Sequence, residues 1–131
     1  MGGVYRHNQV YISGTQYRLT SWKAVPELMT SVVSELNSGK KGVEAIESAA
    51  RVHYDMASIH PFNDGNGRLA RLLMNLRLMR AGFHLTVLRK EERRSYYDAL
   101  EAGNRRNIKP LANLIARDVE KALDLYLSAV E

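Results

Sequence analysis

The chain contains no cysteine, so disulfide bonds, thiolate metal sites and cysteine nucleophiles are all excluded. It also lacks long hydrophobic runs, because charged residues interrupt the short apolar stretches, and a membrane-spanning helix is therefore not expected. No signal sequence is recognisable, since Met1 leads through two glycines straight into a Val-Tyr-Arg-His segment. These absences favour a cytoplasmic protein without a membrane partner. Repeats and low-complexity tracts are lacking too, which predicts one domain, 1–131, with no separate regulatory domain.

Positive charge is in moderate excess. The chain has 19 Lys and Arg against 14 Asp and Glu, for a formal net charge of +5. A basic surface favours anionic partners such as nucleotides, nucleic acids or acidic proteins. A basic helical nucleic-acid-binding domain is therefore an alternative function. No helix presents a basic or base-reading face, however, so we expect no nucleic-acid partner.

The first 20 residues differ from the rest of the chain. Two β-prone runs, 10–12 and 16–19, flank a Ser-Gly-Thr turn and predict a short hairpin at about 9–19. The remainder predicts helices that begin at capping residues, Thr20 or Ser21 for the first, and end at glycine or before proline. The predicted fold class is mainly α, a helical bundle with a short N-terminal β-hairpin. The expected helices cover about 21–36, 43–59, 66–81, 90–103 and 109–129.

The third of these helices is apolar on most sides, which predicts a central helix surrounded by others. Its first turn carries Arg68 and Arg71, which share one face at three-residue spacing. Two guanidinium groups at a helix N-terminus, where the helix dipole opposes them, predict an anionic partner. One apolar stripe consists of Leu69, Leu72, Leu73, Leu76 and Met79, and Met74 and Leu78 lie outside it.

The segment 60–71, His-Pro-Phe-Asn-Asp-Gly-Asn-Gly-Arg-Leu-Ala-Arg, concentrates the residues suited to chemistry. Gly65 and Gly67 allow a ligand to approach the backbone, and successive N–H groups entering a helix form an anion nest. The two arginines add planar forks for phosphate oxygens, and Asp64 offers a hard oxygen ligand for Mg²⁺. His60, across the loop, can be neutral near pH 7 and act as a base. Together these residues predict phosphoryl or nucleotidyl transfer.

The same segment matches every specified position of the Fic family motif, His-x-Phe-x-Asp/Glu-Gly-Asn-Gly-Arg-x-x-Arg. The stretches 72–75 and 89–97, and the pair His53-Tyr54, are also similar to animal and related bacterial Fic proteins. The resemblance covers nearly the whole chain, and the hairpin matches least. It implies a Fic-type helical bundle that acts as a protein adenylyltransferase, transferring AMP from Mg-ATP to a Ser, Thr or Tyr hydroxyl of a target protein.

The resemblance also implies a role for each residue of the catalytic loop, 60–68, and of the turn after it. His60 takes the proton of the target hydroxyl, which attacks the α-phosphorus of ATP. Asp64 holds the Mg²⁺, the side chain of Asn66 faces the α-phosphate, and the two motif arginines bind the β- and γ-phosphates in order. The implied catalytic residues are His60, Asn66 and Arg68, and the implied phosphate-binding residues are Gly65, Asn66, Gly67, Arg68 and Arg71.

Two further regions receive roles from the resemblance. Tyr97, Leu100 and Asn104 lie on one helical face that would surround the adenine, although core packing and a helix cap are equally open readings. The hairpin corresponds to the family's flap, where an exposed strand edge would dock the target by β-augmentation, unless it is an ordinary edge hairpin. The docking residues implied are Val10, Tyr11, Ile12 and Tyr17. From its position alone, and without a role implied by the resemblance, His53 is expected to be a hydrogen-bonded core histidine.

Other readings stay open within the family. An inactive binding module is disfavoured because no motif position is substituted, whereas phosphotransfer, phosphocholine transfer and removal of AMP are alternative chemistries. Many Fic proteins carry an inhibitory helix with the pattern Ser/Thr-x-x-x-Glu-Gly/Asn, whose glutamate pairs with the second motif arginine. The nearest match, Ser31 to Glu35, is followed by Leu36 and fails the pattern. We therefore expect any inhibitory helix or antitoxin to come from outside this chain, leaving Arg71 open to phosphate.

Overall fold

The structure, a computed structural model, describes residues 3–9 and 21–130, and its regular elements are helices. Short 3₁₀ turns at Trp22–Ala24 and Lys90–Glu92 lead into the first and fourth of them. Of the two predicted caps, Ser21 accepts a hydrogen bond from the Lys23 N–H at 3.4 Å and so caps the 3₁₀ turn that leads into the first helix, and Thr20 lies outside the described residues. The predicted helices are confirmed, with bounds that differ by a few residues. They are α1 (Val25–Leu36), α2 (Gly42–Ile59), α3 (Asn66–Arg80), α4 (Arg93–Asn104) and α5 (Lys109–Val130).

The predicted fold class is corrected by the structure, because the described residues form helices and no strand. Residues 4–9 run irregularly past the end of α2, where the Arg6 N–H donates to the Pro61 carbonyl at 2.8 Å. The proposed hairpin residues Val10, Tyr11, Ile12 and Tyr17 lie outside the described residues. β-Prone residues alone do not predict a strand, since an isolated two-stranded hairpin is at best marginally stable in water.

Helix α2 is the centre of the bundle, with a hydrophobic cluster on each of two sides. On one side, Ala49 and Ala50 pack with buried residues of α3, α4 and α5. On the other side, Val52 and Met56 pack with buried residues of α1 and the start of α3. The alanines allow neighbouring helices to approach closely, so α2 holds the other four helices in fixed relation to its own C-terminal end.

The buried face of α3 does not coincide with its apolar stripe. Leu72 and Met79 are more than half exposed, whereas Met74 and Leu78 are fully buried. Helix α3 carries apolar residues on most of its sides, so their spacing alone does not identify the face that packs against other helices. The buried face instead follows the contact with α2, where Ala70 enters one cluster and Met74 and Leu78 enter the other. The predicted central position belongs to α2.

A buried arginine fastens the loop between α1 and α2 onto α3. The Arg77 side chain donates to Ser48 Oγ at 3.0 Å, to Ser38 Oγ at 2.9 Å and to the Lys40 carbonyl at 2.8 Å. A guanidinium can be buried when its donors find acceptors, and these bonds provide acceptors for Nε and Nη2. Arg77 therefore supports the fold at the end of α3 remote from the catalytic loop.

The described helices include none that is both long and apolar enough to cross a bilayer. The cytoplasmic location and the single-domain organisation over 1–131 stay predictions.

Candidate active site

His60 ends α2 in an unusual conformation. Its N–H still donates to the Met56 carbonyl at 3.0 Å, but its φ of 52° and ψ of 60° place it in the left-handed region. A non-glycine residue adopts this region only when its surroundings impose it, and such residues cluster at functional sites. Pro61 follows and prevents the helix from continuing. The chain therefore turns sharply at the predicted base.

The imidazole of His60 is half-buried, and its environment favours the neutral form. Burial lowers its pKa below the ordinary value, and the nearby positive charge of Arg6 lowers the pKa further. Both effects disfavour the imidazolium. His60 is therefore neutral at physiological pH, which is the state that a general base requires.

Arg6 holds the end of α2 in place. Its side chain is 1% exposed and donates from Nε to the His60 carbonyl at 2.7 Å and from Nη2 to the Ile59 carbonyl at 3.0 Å. Nη1 donates to the Asn8 carbonyl at 2.8 Å. The last carbonyls of a helix lack intrahelical partners and carry partial negative charge, which a cation satisfies. Arg6 thus fixes the main chain on both sides of the turn at His60.

Asn66 closes the catalytic loop from inside. Its side chain accepts from the Phe62 N–H at 3.0 Å and donates to the Phe62 carbonyl at 2.7 Å, and the residue is only 3% exposed. The amide therefore pairs with the main chain of Phe62 as a neighbouring peptide group would. In this structure both polar atoms of the Asn66 side chain serve the loop, so its expected contact with the α-phosphate stays a prediction.

The start of α3 combines uncapped N–H groups with two arginines. Gly65 precedes the helix at φ 79°, and no side chain caps the helix at this position. The first intrahelical bond runs from the Leu69 N–H to the Gly65 carbonyl, so the three preceding N–H groups have no intrahelical acceptor. A Cβ on Gly65 would lie 3.6 Å from an Arg68 guanidinium nitrogen, and one on Gly67 would lie 3.6 Å from Arg71 Nη1. The glycines, N–H groups and guanidinium groups thus meet where an anion would bind.

Asp64 lies on the outer side of this turn and fits a nucleotide-associated Mg²⁺. Its carboxylate is almost fully exposed, with Oδ1 accepting from the Gly65 N–H at 2.8 Å and Oδ2 3.9 Å from Arg68 Nη2. Mg²⁺ held with phosphates needs only one or two protein carboxylates, because phosphate oxygens and waters complete its shell. Across residues 3–9 and 21–130, no three His, Cys, Asp or Glu side chains cluster as a metal cage. Asp64 therefore suits a metal that arrives with phosphate.

A hydrogen-bonded pair links the loop region to α4. His53 is fully buried, and its Nε2 lies 2.7 Å from the Tyr96 hydroxyl, which confirms the predicted core histidine. Burial lowers the pKa of His53 to about 4; the nearby Ala70 main chain opposes this shift and the Arg71 charge adds to it. Burial also raises the pKa of Tyr96 to about 12. Both groups are neutral at pH 7, so they connect α2 to α4 without adding charge beside Arg71.

The three residues assigned to adenine have different surroundings. Tyr97 is largely exposed and its ring centroid lies 5.4 Å from that of Tyr96. Leu100 is partly buried and packs against the core. Asn104 ends α4 and accepts a hydrogen bond from the Tyr54 hydroxyl at 2.6 Å. Tyr97 is the one aromatic residue of the three, and its ring is exposed. The adenine role of all three stays a prediction.

Sequence reasoning missed two residues of this region, Arg6 and Tyr96. Arg6 lies 54 positions before His60 and acts on main-chain carbonyls, for which no sequence pattern exists. Tyr96 lies 43 positions after His53, and its neighbour Tyr97 was singled out instead. The tyrosine pair itself was the available signal, because successive helical residues face different directions and only one could meet His53.

The chain is similar in sequence to proteins of a known family. Residues 1–78 match the profile of the Fic/DOC family. Curated relatives called "Protein adenylyltransferase Fic" include one from Aedes aegypti, 42% identical over 98% of this chain and 26% of its own length. One from Drosophila willistoni is 43% identical over the same shares. The chain thus spans about a quarter of the length of these relatives.

Solved structures agree with the fold. Fic-1 (residues 134–508) from C. elegans has a TM-score of 0.82 and 35% identity, covering 98% of this chain and 37% of that one. A Fic domain containing signaling protein from Bacteroides thetaiotaomicron has a TM-score of 0.80 and 30% identity, covering 94% of this chain and 53% of that one. The family match spans more than half of the residues, including the whole catalytic loop. The chain therefore belongs to the Fic/DOC family.

Proposed function

We propose that this chain is the catalytic core of a protein adenylyltransferase, which transfers AMP from ATP to a hydroxyl side chain of a target protein. One observation carries the proposal. A histidine with a lowered pKa, at the end of α2, is joined by a locked loop to an uncapped helix start flanked by two guanidinium groups. The names of the curated relatives support the same activity.

In the proposed reaction, His60 accepts the proton of the acceptor hydroxyl as its oxygen forms a bond to the α-phosphorus. The bond from the α-phosphorus to the oxygen that bridges to the β-phosphate breaks, and pyrophosphate leaves. A positioned general base of this kind contributes roughly 10²–10⁴-fold. The lowered pKa of His60 keeps the imidazole able to accept that proton at neutral pH.

The phosphates would bind at the start of α3. The N–H groups of residues 66–68 donate to phosphate oxygens, Arg68 binds the β-phosphate and Arg71 the γ-phosphate. These preorganised donors stabilise the charge that develops on the departing pyrophosphate. Mg²⁺, held by Asp64, would neutralise phosphate charge when it is bound. The adenine would lie along Tyr97, Leu100 and Asn104, where the exposed Tyr97 ring is suited to stacking.

Regulation would act on Arg71. Arg71 is exposed, and no carboxylate lies within ion-pair distance of it in the part of the chain that the structure describes. This supports an arginine open to the γ-phosphate. A glutamate brought by an inhibitory helix, or by an antitoxin supplied outside this chain, would compete for the same guanidinium. Mutation of that glutamate would restore transfer.

The test uses ATP labelled at the α- or the γ-phosphate, incubated with Mg²⁺, the purified chain and a protein lysate. We expect protein labelling from α-labelled ATP alone, because transfer of AMP leaves the γ-phosphate in pyrophosphate. His60→Ala should abolish labelling while retaining nucleotide binding, and the matched variant His84→Ala, which removes an exposed histidine, should keep it. Labelling from the γ-position alone would replace the proposal by phosphotransfer, and full activity of His60→Ala would eliminate the proposed base.

A further inference from the structure

The segment between α3 and α4 has no regular secondary structure, and one side of it is paired at Thr86. Residues 83–89 contain no helix, turn or bend. The Thr86 N–H donates to the Asn75 side-chain oxygen at 2.8 Å, and the Asn75 side-chain nitrogen donates to the Thr86 carbonyl at 3.0 Å. Thr86 is 4% exposed. Asn75 therefore occupies the place that a neighbouring strand would take beside Thr86.

The opposite side of this segment is open. Thr86 bonds through both its N–H and its C=O to one amide, as an extended residue does beside a strand, and in an extended chain the N–H and C=O groups of successive residues point to opposite edges. Leu85 and Val87 therefore direct their main-chain groups away from Asn75. These groups form no hydrogen bond to any residue within 3–9 or 21–130. The side chains of Leu85 and Val87 are 56% and 64% exposed, so water covers both the polar edge and the apolar side chains.

An apolar groove of about 710 Å³ adjoins this segment. Residues 83–87 form one wall, and the second half of α5 forms another. The charged lining residues are Arg89, Asp118 and Lys121. The charge of Arg89 acts on Asp118, but Arg89 forms no ion pair with a carboxylate in the described part of the chain. The apolar lining includes Met79, Phe83, Leu85, Val87, Leu125 and Tyr126.

We propose that residues 84–88 are a docking edge for an extended segment of a partner protein, which adds to this chain as a strand. A helix could fill the apolar groove but would leave the Leu85 and Val87 main-chain groups unpaired, whereas an extended peptide satisfies them and covers the apolar side chains together. The alternating side chains of the peptide would be apolar on the face toward the groove. An acidic side chain near its end would pair with Arg89.

Nucleotide transfer does not enter this proposal, so the experiment uses binding alone. The probe is a fluorescein-labelled, end-blocked heptapeptide, Asp-Val-Ser-Val-Ser-Val-Ser, titrated with the purified chain and followed by anisotropy. Two further peptides carry N-methyl groups on either all Val amides or all Ser amides. Strand addition uses one alternating set of amides, so we expect one methylated peptide to lose binding about tenfold or more and the other to retain it.

The chain offers a matched pair of variants. Val87→Pro removes the Val87 N–H, which has no described partner, and proline and the residue before it both accept an extended conformation. Val87→Thr keeps the N–H and the branched side chain. We expect the proline variant to weaken binding about tenfold and the threonine variant to bind nearly as the parent does, both with unchanged circular dichroism.

Three results would overturn the proposal. They are no binding of the unmethylated heptapeptide, equal sensitivity to both methylation patterns, and equal binding by the proline and threonine variants. The same variants are run in sedimentation velocity without peptide. Concentration-dependent dimers that Val87→Pro abolishes, in a chain that ignores the peptide, would assign this edge to a second copy of the chain instead.

Discussion

Removal of the Arg6 side chain tests how the turn at His60 is held. Among the described residues, Arg6→Met loses the charged hydrogen bonds to the carbonyls of His60, Ile59 and Asn8. A hydrogen bond from a charged donor contributes about 1.5–3 kcal/mol, but burial of the guanidinium, which also lowers the Arg6 pKa, offsets part of that gain. We expect a net loss of about 3 kcal/mol, which lowers the melting temperature by roughly 10 °C and leaves the domain folded at 25 °C.

The same variant changes the proton affinity of His60. Burial is the larger cause of the lowered His60 pKa, and the Arg6 charge is the second. Arg6→Met removes that charge, so the pKa of His60 rises and more imidazolium is present at acidic pH. Because the base must be neutral, the acid limb of the kcat/KM profile moves to higher pH. Arg6→Lys keeps the charge but loses the planar guanidinium that bonds several carbonyls at once. It should therefore destabilise the chain while leaving the acid limb of the kcat/KM profile nearly in place.

The assay is thermal denaturation combined with the pH dependence of AMP transfer between about pH 5 and 8. An NMR titration of the His60 imidazole gives the same pKa shift independently of any acceptor protein. Arg117→Met, an exposed substitution on α5, is the control for loss of an arginine. The reasoning fails if Arg6→Met melts like the parent, or if the acid limb moves equally in the Met and Lys variants.

Three further changes have outcomes that the structure specifies. Arg71→Ala should weaken ATP binding about tenfold or more and leave ADP binding unchanged, and equal losses for both nucleotides would contradict the γ-phosphate assignment. Gly103→Ala places a Cβ 2.6 Å from the Tyr54 ring, so overpacking of about 1–3 kcal/mol should exceed the helix-propensity gain of about 1 kcal/mol, whereas Gly39→Ala, in open space, should be neutral in urea unfolding. Asp118 is buried, and burial together with the neighbouring Glu92 carboxyl raises its pKa from 3.8 to about 7. The folded state therefore retains a proton that the unfolded state loses. Stability should therefore fall as pH rises from about 4 to 7, and Asp118→Asn should reduce that fall; burial raises the pKa of Asp55 to about 6, so Asp55 would account for part of the remainder. Parallel pH curves for parent and variant would rule this out.

The sequence predicted the helices and the catalytic loop because short-range signals define both. The Ser21 cap and Pro61 bound helices through contacts with their immediate neighbours. The catalytic loop is recognised by residue types at fixed spacing, which can be read without knowledge of the fold. The sequence did not identify the buried face of α3, because apolar residues lie on most sides of that helix; Met74 packs with the alanines of α2, whereas Leu72 is exposed.

The long-range contacts that shape the site have no such signal. The left-handed conformation of His60 costs about 1–3 kcal/mol, and the compensating bonds come from Arg6 and from the turn that Asn66 closes. All of these bonds end on main-chain atoms, which every sequence possesses, so no pairing of residue types could reveal them. Since Arg6 and Asn66 hold the backbone on the two sides of the loop, the relation between the base and the start of α3 is fixed before any nucleotide binds, as preorganised stabilisation of phosphate charge requires.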